Sequence, residues 1–213
     1  MNRRSFLKTG ALGALAAASQ AAVSQGGLIQ SQATPAEIEG PFYPVLAQQD
    51  KDFDLTSILG QQGKSLGQHI VIEGVVVDTE GQPVEGATMD LWQANAAGRY
   101  AHPHDTNPAP LDENFQGWAI VPSGKDGGFR FKTVLPGSYP VSKDWVRPPH
   151  IHFKVIKRGY LELITQMYFP DQALNKVDRL LQRKSKKDQQ RMIADRLENN
   201  PDTYYYRIVI EKI

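Results

Sequence analysis

Apolar and polar residues alternate along several short stretches of this chain. In HIVIEGVVVD (69–78), Ile70, Ile72, Val75 and Val77 fall in β-branched runs, and turn signals follow at Thr79-Glu80-Gly81 and Glu85-Gly86. Met89, Leu91 and Gln93 then alternate with Asp90 and Trp92. Phe129, Phe131 and Val134 mark another strand, HIHFKVIK (150–157) and LELITQMYF (161–169) two more, and TYYYRIVIEKI (203–213) a last one. A period of two places alternate side chains on one face, which suits antiparallel sheets with one face buried. Short strands separated by turns predict a mainly β protein, an antiparallel β-sandwich with long loops. Residues 171–197 differ: Leu174, Val177, Leu180, Leu181, Ile193 and Leu197 sit at helix-like spacing among charges and predict one late helical stretch. Residues 101–128 carry Pro, Asn, Asp and Gly throughout and read as a loop, long enough to cover a site.

Composition narrows the functional classes. The chain has 213 residues, 40% hydrophobic and 22% charged, which fits one sizeable globular domain. A formal net charge of +1 and no basic stripe give no footprint for nucleic acid. There is no cysteine, which excludes disulfides, thiolate metal sites and a cysteine nucleophile. The first residues, NRRSFLKTGALGALAAASQAAVSQ, join Arg3-Arg4 and Phe6-Leu7-Lys8 to an Ala/Gly-rich run. This is the pattern of a twin-arginine signal peptide over residues 1–24, too short and small-residued to span a membrane. It predicts export to the periplasm, with no membrane association once the signal is removed. Its loss takes Arg3, Arg4 and Lys8 and no acid, so the charge of +1 becomes −2. Residues 25–36 are small and polar and read as a flexible lead-in to a domain over 37–213.

Candidate chemistry centres on DWVRPPHIHFKV (144–155). His150 and His152 are two apart on a predicted strand, so their imidazoles share a face and can share a metal. A lone pair of this kind is also an ordinary strand feature, so other ligands must be found. Tyr100 ends QANAAGRY after a glycine, and Tyr139 sits in the Pro/Gly turn LPGSYP. A phenolate is a hard oxygen ligand, suited to a hard, highly charged ion. Two phenolates and two neutral imidazoles would offset two of the three charges on Fe(3+). His102 and His104 form a second His-x-His, in the proline-rich loop AHPHDTNP without a matching tyrosine, and read as loop residues. Asp105, Asp112 and Glu113 read as turn carboxylates, and Trp92 and Trp118 as core.

Taken together, EGPFYP (39–44), GVVVDTEGQPVEGATMDLWQANAAGRY (74–100), LDENFQGW (111–118), LPGSYP (135–140), RPPHIHF (147–153) and LITQMYF (163–169) resemble, in order, the intradiol ring-cleavage dioxygenases. Within them the likeness is greatest to the iron-bearing chains of the protocatechuate 3,4-dioxygenase type. The resemblance implies an Fe(3+) centre held by Tyr100, Tyr139, His150 and His152, with Tyr139 and His152 axial and Tyr100 and His150 equatorial. It makes Arg147 the arginine beside the site, stabilising charge on the substrate ring, and Gln166 a hydrogen-bond partner of substrate or oxygen. Tyr139 is the ligand that leaves the metal when substrate binds. The implied reaction is O2-dependent cleavage of a catechol-type ring between its hydroxyls, giving a cis,cis-muconate-type diacid. The implied assembly is an oligomer, of like chains or with a related one. The stretch from Tyr139 to Arg147 is shorter than in the protocatechuate type, with Val141 where a bulky aromatic is expected. An alternative of another class is a non-catalytic extracytoplasmic β-sandwich binding module, since residues 74–93 alone also resemble transthyretin-like and carboxypeptidase-regulatory-like modules.

Overall fold

The alternating stretches form two four-stranded sheets. In this computed structural model, which describes residues 31–46, 48 and 50–213, the first sheet has the order β4-β1-β10-β9 and the second β3-β2-β7-β8. The first comprises β1 (His69–Asp78), β4 (Gly128–Val134), β9 (Asp195–Leu197) and β10 (Asn200–Ile210). The second comprises β2 (Thr88–Trp92), β3 (Trp118–Pro122), β7 (His150–Ile156) and β8 (Leu163–Tyr168). A separate hairpin pairs β5 (Tyr139–Ser142) with β6 (Trp145–Arg147). The strand pairings are antiparallel except that β1 runs parallel to β10, with Ile72 opposite Tyr204.

The period of two decides which face each strand buries. Ile70, Ile72 and Val76 of β1 and Phe129 and Phe131 of β4 join Tyr204, Tyr206 and Ile208 of β10 in one cluster. Met89 and Leu91 of β2, and Ile151, Phe153 and Val155 of β7, complete it from the second sheet. The Phe153 ring lies 6.1 Å from Phe131 and 5.7 Å from Tyr206, so the sheets meet face to face at aromatic contacts. Each large apolar side chain buried here contributes about 1.5–3 kcal/mol.

Two segments differ from the sequence expectation. Within the stretch read as loop, WAIVP forms β3, paired with β2 and burying Ala119 and Val121. Only five residues alternate there, between Gly117 and a Pro-Ser-Gly turn, so turn residues outweigh the strand pattern locally. The late helical stretch is broken into two 3-10 turns, Ala173–Lys176 and Leu181–Arg183, and one helix, α1 (Lys186–Met192). Ser185 starts α1 by accepting a hydrogen bond from Asp188 N. The break falls at Asp178, which turns inward and is wholly buried, while Val177 remains exposed.

The signal over 1–24 lies outside the described residues. Of the stretch read as a flexible lead-in, residues 31–36 are described, and they are tied to the body of the protein. Ser31 N donates to Thr79 O, Thr34 N to Val209 O, and Val209 N back to Thr34 Oγ1. This strap carries residues 37–46 across the second sheet.

Candidate metal centre

Because Ile151, Phe153 and Val155 enter the core, His150 and His152 project from the opposite face of the second sheet. Neighbouring strands supply the surroundings. His152 pairs with Gln166 of β8 and Trp92 of β2, and His150 pairs with Tyr168 of β8. Trp92 is fully buried and stacks on His152, ring centroids 4.8 Å apart and planes 12° from parallel. Its reading as core holds, and it also supports an imidazole.

The two tyrosines arrive on loops from different parts of the chain. Asn95 organises the first loop: its Oδ1 accepts from Ala97 N and Arg99 N, and its carbonyl from Gly98 N and Gly137 N. Gly98 has φ +80°, and a Cβ there would stand 2.3 Å from Ser138 O. A Cβ on Gly137 would stand 2.4 Å from Gly98 N. The two glycines therefore let the backbones before Tyr100 and Tyr139 touch. Asp105 accepts Tyr100 N on Oδ2 and Asn107 N on Oδ1, holding the far side of the loop in the turn expected of it.

Four rings consequently surround one point. Ring centroids are 5.6 Å apart for Tyr100 and Tyr139, 5.7 Å for Tyr139 and His150, 4.9 Å for His150 and His152, and 6.2 Å for His152 and Tyr100. All four side chains are buried. Tyr100 Oη, His150 Nε2 and His152 Nδ1 are buried polar atoms with no hydrogen-bond partner. Buried polar atoms are rarely left so, and several together call for an ion or ligand. His150 Nδ1 lies 2.7 Å from Pro148 O. That contact puts the proton on Nδ1 and leaves the Nε2 lone pair free, as in a metal-binding histidine. Burial pushes the Tyr100 hydroxyl well above its ordinary pKa, helped by Tyr139, and raises that of Tyr139. Burial, then the Arg147 charge, lowers His150 well below its ordinary value and His152 to about 3. The imidazoles are thus neutral donors, and the phenols would ionise only beside a strong cation. Among the described residues no three His, Asp or Glu side chains are placed to share a metal, so a metal held by His150 and His152 would need Tyr100 and Tyr139 as well.

Arg147 stands opposite Tyr139 in the β5–β6 hairpin and is almost fully buried. Its Nε donates to Asp178 Oδ1 at 2.9 Å, and its Nη2 to Gln166 Oε1 at 2.7 Å and Tyr168 Oη at 2.8 Å. Asp178 also accepts from Trp145 Nε1 at 3.1 Å, Tyr168 Oη at 3.2 Å and Leu181 N at 3.1 Å. Gln166 is fully buried, and its Nε2 donates to Ile38 O. The sequence expectation gave Gln166 a bond to substrate or oxygen. In the structure its Oε1 accepts from Arg147 and Tyr168 while one amide N–H goes to Ile38 O, so it also orients Arg147. Arg147, Tyr139 and His152 line a cavity of about 490 Å³, walled also by the 38–42 strap, residues 105–108 and Leu180.

His102 and His104 stay in the loop, as expected: their rings are 5.3 Å apart, and His102 packs on Phe42. Sequence reading missed Asp178 and Phe42. Asp178 had one signal, a lone acid amid the apolar positions of the 174–181 stretch. Phe42, 4.8 Å from Tyr100, had only its place in the EGPFYP block.

Comparison with known proteins agrees with this architecture. The model of the family described as Dioxygenase (Dioxygenase_C) matches residues 38–210. A protocatechuate 3,4-dioxygenase beta chain from Burkholderia cepacia is 41% identical over 147 residues, 67% of this chain and 62% of that protein. A hydroxyquinol 1,2-dioxygenase from Rhizobium sp. (strain MTP-10005) is 29% identical over 154 residues, 66% of this chain and 49% of that protein. The matched stretch thus spans 62% and 49% of the length of these two relatives. The crystal structure of 3-chlorocatechol 1,2-dioxygenase from Rhodococcus opacus 1CP superposes with a TM-score of 0.65 over 87% of this chain and 76% of that one, at 22% identity. The dioxygenase domain of a carbohydrate-binding fusion protein from Streptomyces sp. SirexAA-E gives 0.64 over 85% of this chain and 100% of that one, at 24% identity. These two likenesses establish the fold, and the family match establishes kinship: the chain belongs to the intradiol ring-cleavage dioxygenase family.

Proposed function

We propose that this chain is a non-haem Fe(3+) dioxygenase that cleaves a catechol-type ring between its two hydroxyls with O2, giving a cis,cis-muconate-type diacid. One observation carries the reading. Two tyrosines and two histidines are buried around one point beside a cavity, and three of their polar atoms have no partner. A ferric ion there would supply a Lewis acid for both catechol oxygens to chelate and would make the ring reactive toward O2.

The chain's own residues have distinct tasks in this reading. Tyr100, Tyr139, His150 and His152 would hold the metal. The Pro148 carbonyl keeps the proton of His150 on Nδ1, which leaves the Nε2 lone pair available to a metal. Tyr139 lines the cavity, where its Oη would be the group placed to accept a proton from an entering diol. Arg147, fixed by Asp178 and Gln166, presents its remaining guanidinium N–H groups to negative charge on the ring. The strap and the hairpin both wall the cavity.

The test is an iron assay and visible spectrum of the purified protein, before and after anaerobic catechol, followed by O2 uptake. A red tyrosinate-to-Fe(3+) absorption that shifts with catechol, and is lost in Tyr100→Phe and His150→Ala, supports the reading. A colourless chain that stays iron-free after ferric or ferrous reconstitution sinks it and favours the binding-module alternative. Export to the periplasm belongs to the same proposal and rests on Arg3-Arg4 and Phe6-Leu7-Lys8. So does assembly as an oligomer, of like chains or with a related one, supported by a relative named as a beta chain. Light scattering on the mature protein tests it, and a monomer at working concentration would refute it for the chain alone.

A further inference from the structure

The cavity is far larger than the ring it is proposed to hold. An apolar space of about 150 Å³ accommodates benzene, whereas this cavity measures about 490 Å³. Beyond the metal-binding rings, much of its wall is apolar, with Ile38, Phe42, Val141, Trp145 and Leu180. Thr106, Asn107 and Ser142 add neutral polar groups.

Charge on the wall is scarce and unfavourable to anions. Apart from the candidate ligands, its ionisable side chains are Asp105 and Arg147. The Arg147 charge is already matched by Asp178, at 2.9 Å and wholly buried. The unmatched charge is therefore the negative one of Asp105. Of the cations in neighbouring segments, Lys143 follows the lining Ser142 but is exposed on the hairpin turn and is not itself part of the wall, and others make contacts of their own. Arg179 pairs with Asp144 at 2.6 Å, Arg99 donates to Ala109 O at 2.7 Å, and Lys184 pairs with Glu37 at 3.4 Å. Among the described residues no lysine and no second arginine lines the cavity.

We propose that this site takes neutral catechols bearing an apolar substituent and disfavours catechols whose ring bears a carboxylate. The proposal rests on the ring-cleavage reading and names its substrate class. A ring carboxylate entering this wall would lose water and meet only Arg147, whose charge Asp178 already offsets, and a poorly compensated buried charge is disfavoured. An alkyl or aryl group of similar size would instead cover Ile38, Val141 and Leu180 and gain from leaving water. Selectivity here is a difference of affinities, set largely by what the wall withholds from the charged competitor. The contrast is discriminating, because the relative at 41% identity is named for protocatechuate, a ring-carboxylated catechol.

The experiment is isothermal titration of the mature, iron-loaded protein without O2, using 4-propylcatechol and 3,4-dihydroxybenzoate as probes. The neutral probe is expected to bind about tenfold tighter or more. In Val141→Arg, at an exposed position of the wall, the benzoate is expected to gain about tenfold while the neutral probe does not. Equal or tighter benzoate binding by the natural chain overturns this inference and leaves the ring-cleavage reading standing. An unchanged preference in a folded Val141→Arg protein overturns the charge argument. Should that variant not fold, the comparison in the natural chain decides alone. A chain that binds neither probe, or holds no iron, defeats the ring-cleavage reading and this inference with it.

Discussion

Asp178→Ala tests whether Arg147 depends on its buried partner. Both side chains are almost wholly buried, 4% and 0% exposed. Removing the carboxylate strips Arg147 of its counter-charge and leaves Trp145 Nε1 and Leu181 N without their acceptor. Breaking one side of such a pair costs about 3–5 kcal/mol, because the remaining charge stays buried. For a chain of this size each kcal/mol moves the melting temperature by about 2–4 °C. The expected fall is therefore about 6–20 °C by scanning calorimetry, in metal-free and iron-loaded protein alike. Arg147→Met alone leaves Asp178 buried and unpaired and is expected to be comparably costly. The double variant removes both charges, so its cost should fall short of the sum of the singles by about 1–3 kcal/mol. A single Asp178→Ala shift under about 2 °C, or a strictly additive cycle, would refute the claim that Asp178 holds Arg147 in place.

Three further outcomes follow from particular contacts. Gly98→Ala forces φ +80° on an L residue and drives its Cβ into Ser138 O, so it should cost at least about 1–2 kcal/mol and lower iron retention by parting Tyr100 from Tyr139; unchanged stability and iron content would contradict the role given to that contact. Burial alone would push the Asp78 carboxyl up, but Lys212 and the amides of Gln82 and Glu80 outweigh it and hold it below the ordinary carboxylate value. Its stabilisation is full above about pH 3.9 and is lost as pH falls through the lower folded value. Melting curves of Asp78→Asn should accordingly lose part of the acid-side slope, and an unaltered slope would count against it. Replacing Arg3 and Arg4 by Lys should keep the protein out of the periplasmic fraction, and normal export of that variant would rule out the twin-arginine route.

Much of the architecture was legible before any fold was known. The alternation in residues 69–78, 150–156 and 163–168 is a local property, and it already says which side chains face a core. It also says that His150 and His152 lie together on the other face, since Ile151 and Phe153 between them are apolar. What alternation cannot register is a strand as short as Trp118–Pro122 among turn residues, or a helical pattern broken so that one acid can be buried. The ligand candidates were legible as residue types in an order of blocks, with the resemblance supplying their grouping.

Sequence by itself therefore determined the layers, the outward histidines, the absence of thiol chemistry and the candidate Tyr/Tyr/His/His set. Tertiary structure alone decided how these became a site. Tyr100 and Tyr139 come within 5.6 Å because two glycines let separate loops touch. Arg147 is fixed by an acid 31 residues away in a segment whose spacing suggested only a helix. The net charge of the cavity wall follows from that pairing and from Asp105, not from composition. The physical reason is common to all three. Periodicity and turn chemistry act between near neighbours along the chain, whereas steric fit between loops and the pairing of buried charges exist only once distant segments have packed.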